Sequence, residues 1–120
     1  MAEPDVEDGK LLMLARATLG RLRVPSAAAV RDDTGRTYVA AVVDLPSLRL
    51  SALQAAVAMA MASGGTGLEA AVLVSAVGEP PDPQGIAAVH DLGGPTVAVY
   101  AAGTTGDLGD PVETDDPGPS

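Results

Sequence analysis

Apolar positions set the layout of this chain. Between residues 6 and 22, Leu11, Leu12, Leu14, Ala15, Leu19 and Leu22 recur at helical spacing. Pro4 and its acidic neighbours stand at the start, and Arg16, Arg21 and Arg23 lie toward the end, as the helix dipole favours. This predicts an amphipathic helix, ended by Val24-Pro25. Two β-type runs follow, residues 27–31 and 37–43, around the turn residues Asp32-Asp33-Thr34-Gly35, and they predict a hairpin that Pro46 closes. From 48 to 62 almost every residue is apolar, with no charge after Arg49. A helix that is apolar all round is enclosed all round. In so short a chain, its far side is expected to meet another subunit.

Gly64, Gly65 and Gly67 stop that helix. The solid run Ala70-Ala71-Val72-Leu73-Val74, within residues 68–77, suits a strand covered on both faces. After the rigid loop Glu79-Pro80-Pro81-Asp82-Pro83, residues 84–92 predict a short helix, with Asp82 as N-cap and Pro83 in its first turn. Gly93-Gly94-Pro95 breaks it, and residues 96–101 form a last strand.

Composition adds a constraint. Hydrophobic residues make up 47% of the 120, yet Tyr38 and Tyr100 are the only aromatics. A core of Ala, Val, Leu and Met buries little area per side chain, so close backbone packing or a subunit partner must supply the rest. A homodimer or homotetramer is expected. The net charge of −9 sits at the ends: four acids precede Lys10 and five follow Gly103, while seven acids balance seven bases between. The body has no basic stripe to follow a phosphate backbone, which argues against nucleic acid as a partner. Residues 1–9 are read as an acidic segment, 10–103 as one domain, and 104–120 as an acidic, disordered tail without periodicity.

There is no cysteine, which excludes disulfides, thiolate metal sites and cysteine nucleophiles. The N-terminal residues lack an apolar signal core, and the longest apolar stretch, residues 55–62, is far short of a membrane span. The reading is a soluble cytoplasmic protein with no membrane partner.

The order helix, two strands, buried Ala-rich helix, strand, helix, strand resembles the cytidine deaminase superfamily from about Leu11 to Ala102. The resemblance is closest to short cytidine-deaminase-like proteins of high-GC bacteria, through the stretch running from Leu45-Pro46-Ser47-Leu48-Arg49-Leu50 to Ser51-Ala52-Leu53-Gln54-Ala55-Ala56. It implies an α/β three-layer sandwich, with a mixed sheet of four or five strands and helices on both faces. In active members the buried helix opens with Cys-Ala-Glu or His-Ala-Glu, where the first residue binds zinc and the glutamate shuttles protons. Those positions are Ser51, Ala52 and Leu53 here. A second motif, Pro-Cys-x-x-Cys, falls on Pro81, Asp82, Pro83, Gln84 and Gly85. Serine is a poor zinc ligand, leucine carries no proton and glycine has no side chain. The family's ribose-reading Asn-x-Glu falls on Ala40 and Val42, and a two-residue slip would bring Asp44 to the glutamate position.

The expectation is therefore an inactive protein of this fold, without metal or cofactor, acting as a structural or interaction module with itself or another protein. The alternative is a module that binds a nucleoside or nucleotide in a reduced pocket, with Asp44, Arg49 and Ser51 as contacts. A working cytidine deaminase is a disfavoured third reading. Ser51 is read as a helix cap in preference to a nucleophile, since no His or Lys base lies nearby. Arg49 is read as a salt-bridge partner of Asp44 or Glu69 in preference to a phosphate contact. His90, the sole histidine, is read as a surface residue beside Asp91, which matches a glutamate recurrent in the family's third helix.

Overall fold

The structure is a computed structural model that describes residues 6–113. Its elements are α1 (Val6–Leu22), β1 (Ser26–Asp32), β2 (Thr37–Ala41), β3 (Val43–Leu45), β4 (Leu48–Leu50), α2 (Ala52–Ala62), β5 (Leu68–Ser75), α3 (Pro83–Gly93) and β6 (Ala98–Ala102). The main sheet has four strands in the order β2-β1-β5-β6. β1 runs antiparallel to both β2 and β5, and β5 runs parallel to β6, with α3 in the crossover that a parallel pair requires. The sheet is mixed, as expected.

Alternation along β1 sorts the core into two halves. Ala27 and Ala29 pack with Leu11, Leu12, Ala15 and Leu19 of α1. Ala28 and Val30 pack with Leu53, Ala56 and Ala60 of α2 and Val89 of α3. Helices thus cover both faces of the sheet, and the central strands β1 and β5 carry the solid apolar runs of residues 27–30 and 70–74 that burial on two faces favours. Alanine on the sheet faces lets those helices come close, which compensates for the small area each side chain buries.

The expected helix over residues 48–62 begins later. Leu48–Leu50 is strand β4, which pairs antiparallel with β3 through Asp44 opposite Arg49 and Leu45 opposite Leu48. The turn at Pro46-Ser47 starts this small hairpin, and a cap at Ser51 fixes where the helix takes over. Nor is α2 enclosed on every side within one chain. Leu53 is 0% exposed, but Met59 and Met61 are 44% and 63% exposed.

The described residues near both ends pack against the domain. Asp8, read as part of the acidic segment, is buried in the first turn of α1. Its Oδ1 lies 2.9 Å from Nη2 of Arg31, whose Nε donates to Glu69 Oε1 at 2.8 Å. Tyr100 donates its hydroxyl to Asp8 Oδ2 at 2.8 Å. Burial by itself would lower the Arg31 guanidinium, but the hydrogen bonds and charges of Glu69 and Asp8 outweigh it and hold the group above its ordinary value. Beyond β6, residues 104–113 form no helix or strand, yet they are not detached. Leu108 is buried in the α1 half of the core, and the Val112 N–H donates to Val99 O at 2.7 Å. The remaining residues assigned to the acidic ends, 1–5 and 114–120, lie outside those described.

Candidate functional site

The helices α2 and α3 both begin beside one point on the sheet. At the start of α2, Ser51 is extended and forms a reciprocal cap: its Oγ accepts the Gln54 N–H at 3.1 Å, and Gln54 Oε1 accepts the Ser51 N–H at 3.0 Å. At the start of α3, Asp82 Oδ2 accepts the Gly85 N–H at 2.7 Å, and Pro83 occupies the first turn, where a missing N–H leaves no vacancy. Both helices follow the capping chemistry expected of their sequences. In each case the polar side chain is engaged by its own helix.

Between the two starts the packing is tight. Ala52 and Leu53 are buried in the α2 half of the core. Gly85 faces Leu53 so closely that a β-carbon built on it would stand 2.8 Å from Leu53 Cβ and 2.7 Å from Asp82 Oδ1. Carbon atoms in van der Waals contact lie about 3.5–4.0 Å apart. The structure thus brings Leu53, Asp82 and Gly85 together, with Ser51 capping the start of α2.

These residues do not suit a zinc ion. Zinc is held by thiolate, imidazole or carboxylate, and a catalytic centre needs three protein ligands. Here Ser51 Oγ and Asp82 Oδ2 each accept a backbone N–H, Leu53 is aliphatic, and Gly85 has neither a side chain nor space for one. Among the described residues, no group of three or more His, Cys, Asp or Glu side chains is arranged to hold a metal ion.

Asp44 and Arg49 are brought against each other, Arg49 Nε lying 3.3 Å from Asp44 Oδ1 across the β3–β4 hairpin. Their side chains are 79% and 77% exposed, and ion pairs of this kind contribute about 0–1 kcal/mol. Ala40 and Val42 are half-buried, and the Val42 N–H donates to Ser26 O. His90 is half-buried instead of lying on the surface, and its Nε2 has no hydrogen-bond partner among the described residues. Asp91, Val57, Met61, Ala88 and Leu92 line a shallow apolar cavity of about 370 Å³ between α2 and α3.

One carboxylate that accepts four hydrogen bonds was not singled out from the sequence. Asp32 is buried at the end of β1, and its Oδ1 accepts the Thr34 N–H, the Thr34 hydroxyl and the Arg36 N–H at 2.9, 2.7 and 2.9 Å. Oδ2 accepts the Tyr38 hydroxyl at 3.2 Å. The signal was present as Asp-x-Thr in a turn, a spacing at which an aspartate bonds its own loop. These partners organise the β1–β2 turn and leave Asp32 no role at the α2–α3 junction.

Comparison with known proteins agrees with this architecture. The cytidine deaminase from Burkholderia pseudomallei superposes with a TM-score of 0.74 at 22% identity, covering 83% of this chain and 87% of that one. The cytidine deaminase from Mycobacterium leprae gives 0.70 at 22% identity, with 88% and 94% covered. That from Mycobacterium tuberculosis gives 0.68 at 25% identity, with 79% and 85% covered. Among curated proteins, none matches the chain in sequence. A family profile described as "Cytidine deaminase-like" matches residues 4–106, most of the chain, and with the shared fold this makes the protein a member of the cytidine deaminase-like family.

Proposed function

We propose that this protein is a catalytically inactive member of its family, retained as a structural or interaction module and assembled as a homodimer or homotetramer. The observation that carries the reading is the contact between Gly85 and Leu53. Hydrolytic deamination of a nucleobase needs an activated water and a group that moves a proton to the ring. At the junction of α2 and α3, the position for the proton carrier is a buried leucine, and the oxygens on either side serve as helix caps. A buried leucine contributes about 2 kcal/mol of transfer free energy. An unpaired carboxylate in its place would cost several. Packing, not chemistry, is what these residues favour.

The apolar outer side of α2 supports the assembly part of the reading, since Met59 and Met61 are exposed on a helix with no charged residue. The pairing of Asp44 with Arg49 on an exposed hairpin weighs against their gripping a nucleoside phosphate.

The test is uridine release from cytidine, followed with and without added zinc over hours at high enzyme concentration. The expected result is a rate equal to the protein-free blank. Zinc-dependent turnover removes the proposal.

A further inference from the structure

A lost active site could differ from a working one only in which side chains it carries, leaving the cavity between the helices intact. The geometry here points to something further. We infer that the main chains of α2 and α3 approach each other at Leu53 and Gly85 too closely to leave room for a metal, so that the position expected for it is a helix–helix joint that anchors α3. The inference rests on the inactive reading above and concerns what the vacated position has become.

Two observations carry it. First, any residue other than glycine at 85 places a β-carbon 2.8 Å from Leu53 Cβ. The other close neighbour, the Asp82 carboxylate at 2.7 Å, can rotate away at the expense of its cap, but Leu53 Cβ moves only if the backbone of α2 moves. Every residue except glycine carries a β-carbon, so replacing Leu53 with a glutamate or alanine does not relieve this contact. The disagreement with zinc is thus one of backbone separation as well as ligand chemistry.

Second, the face by which α3 is seated is narrow. Its buried residues are Gly85 and Val89, one turn apart on the same face, with Ala88 and Leu92 partly buried beside them. Gly93, on the continuation of that face, is likewise pressed against its neighbours: a β-carbon there would lie 2.6 Å from Val97 Cγ2 and 2.8 Å from Leu68 Cβ. The helix is seated at both ends by glycines that permit close approach. The N-terminal seat is the former site.

The experiment compares Gly85→Ala with the parent by thermal unfolding and by amide hydrogen exchange. Overpacking of this kind is expected to lower Tm by roughly 5–15 °C. Protection should fall first in α3, while amides of β1 and β5 keep theirs. Gly20→Ala serves as control, because a β-carbon on that α1 glycine meets nothing within 4 Å. The control should hold or raise Tm. A Gly85→Ala protein with unchanged Tm and unchanged α3 protection overturns the joint. A second variant, Ser51→Cys with Asp82→Cys and Gly85→Cys, supplies three thiols and is expected to retain no stoichiometric zinc after dialysis against buffer. One tightly held zinc per chain overturns the joint, and if this variant does not fold, Gly85→Ala decides alone. The outcomes separate from those above: a parent without turnover whose Gly85→Ala variant keeps its Tm and α3 protection loses the joint and keeps inactivity, whereas zinc-dependent turnover by the parent removes both.

Discussion

At the scale of single residues, Asp32 shows how a carboxylate can be strongly held without taking part in chemistry. The Thr34 hydroxyl is the largest influence on it and lowers its pKa; burial opposes this, and the N–H groups of Arg36 and Thr34 with the Tyr38 hydroxyl lower it further. The net shift is downward, so the folded state prefers the ionised form more than the unfolded chain does. Stability from this group is complete above the unfolded value of about 3.9 and is lost as pH falls through the lower folded value. Asp32→Asn should therefore start with a lower Tm at neutral pH and show a shallower fall on acidification from about pH 6 to about pH 2 than the parent. Parallel curves for the two proteins would falsify this account. Residue identity also decided what the sequence could reveal about the site: Leu53 and Gly85 were legible because neither can hold a metal or move a proton. Their mutual contact was not, since nothing in the pattern of residues reports how far apart two helix starts lie.

At the scale of elements, the caps matter more than the charges near them. Ser51 fixes the start of α2 through two hydrogen bonds, whereas Arg49, two residues earlier, makes one exposed ion pair. Ser51→Ala is expected to cost about 1 kcal/mol in urea unfolding. Arg49→Ala is expected to stay within about 0.5 kcal/mol of the parent. Equal losses would mean that the hairpin, not the cap, governs this region. The helices and all four main strands were readable from the apolar pattern, with β2 and β5 each ending two residues before its run. Strands β3 and β4 were not, because Leu48-Arg49-Leu50 joins an apolar helix without a break. The strict alternation of those three residues across Pro46-Ser47 from Asp44-Leu45 was the available signal. Leu108 and Val112 were missed for a different reason. Single apolar residues in a polar stretch have no period, and only the fold shows that the chain returns to α1 and β6. The ion pairs of Arg31 were equally hidden, since Glu69 lies 38 residues away in sequence and Asp8 on the far side of the first loop.

At the scale of the whole molecule, the arrangement of polarity argues for self-association. The surplus negative charge lies toward the two ends, and α2 itself carries no charged residue. Its outer side therefore offers little electrostatic repulsion to a second copy approaching it. On that side α2 exposes Met59 and Met61, and beside them Val57, Ala88 and Leu92 line the shallow apolar cavity toward α3. Methionine adapts its shape to such surfaces. With so few large side chains, the domain gains from apolar area that only an interface can bury. The protein should therefore elute and scatter light as a dimer or tetramer of its 11.9 kDa chain at micromolar concentration. Met61→Glu, which sets an unpaired charge in the middle of that surface, should shift the population toward monomer with little change in far-UV circular dichroism. A parent that stays monomeric at the highest soluble concentration rules out α2 as an assembly surface, and an oligomer indifferent to Met61→Glu moves the interface elsewhere.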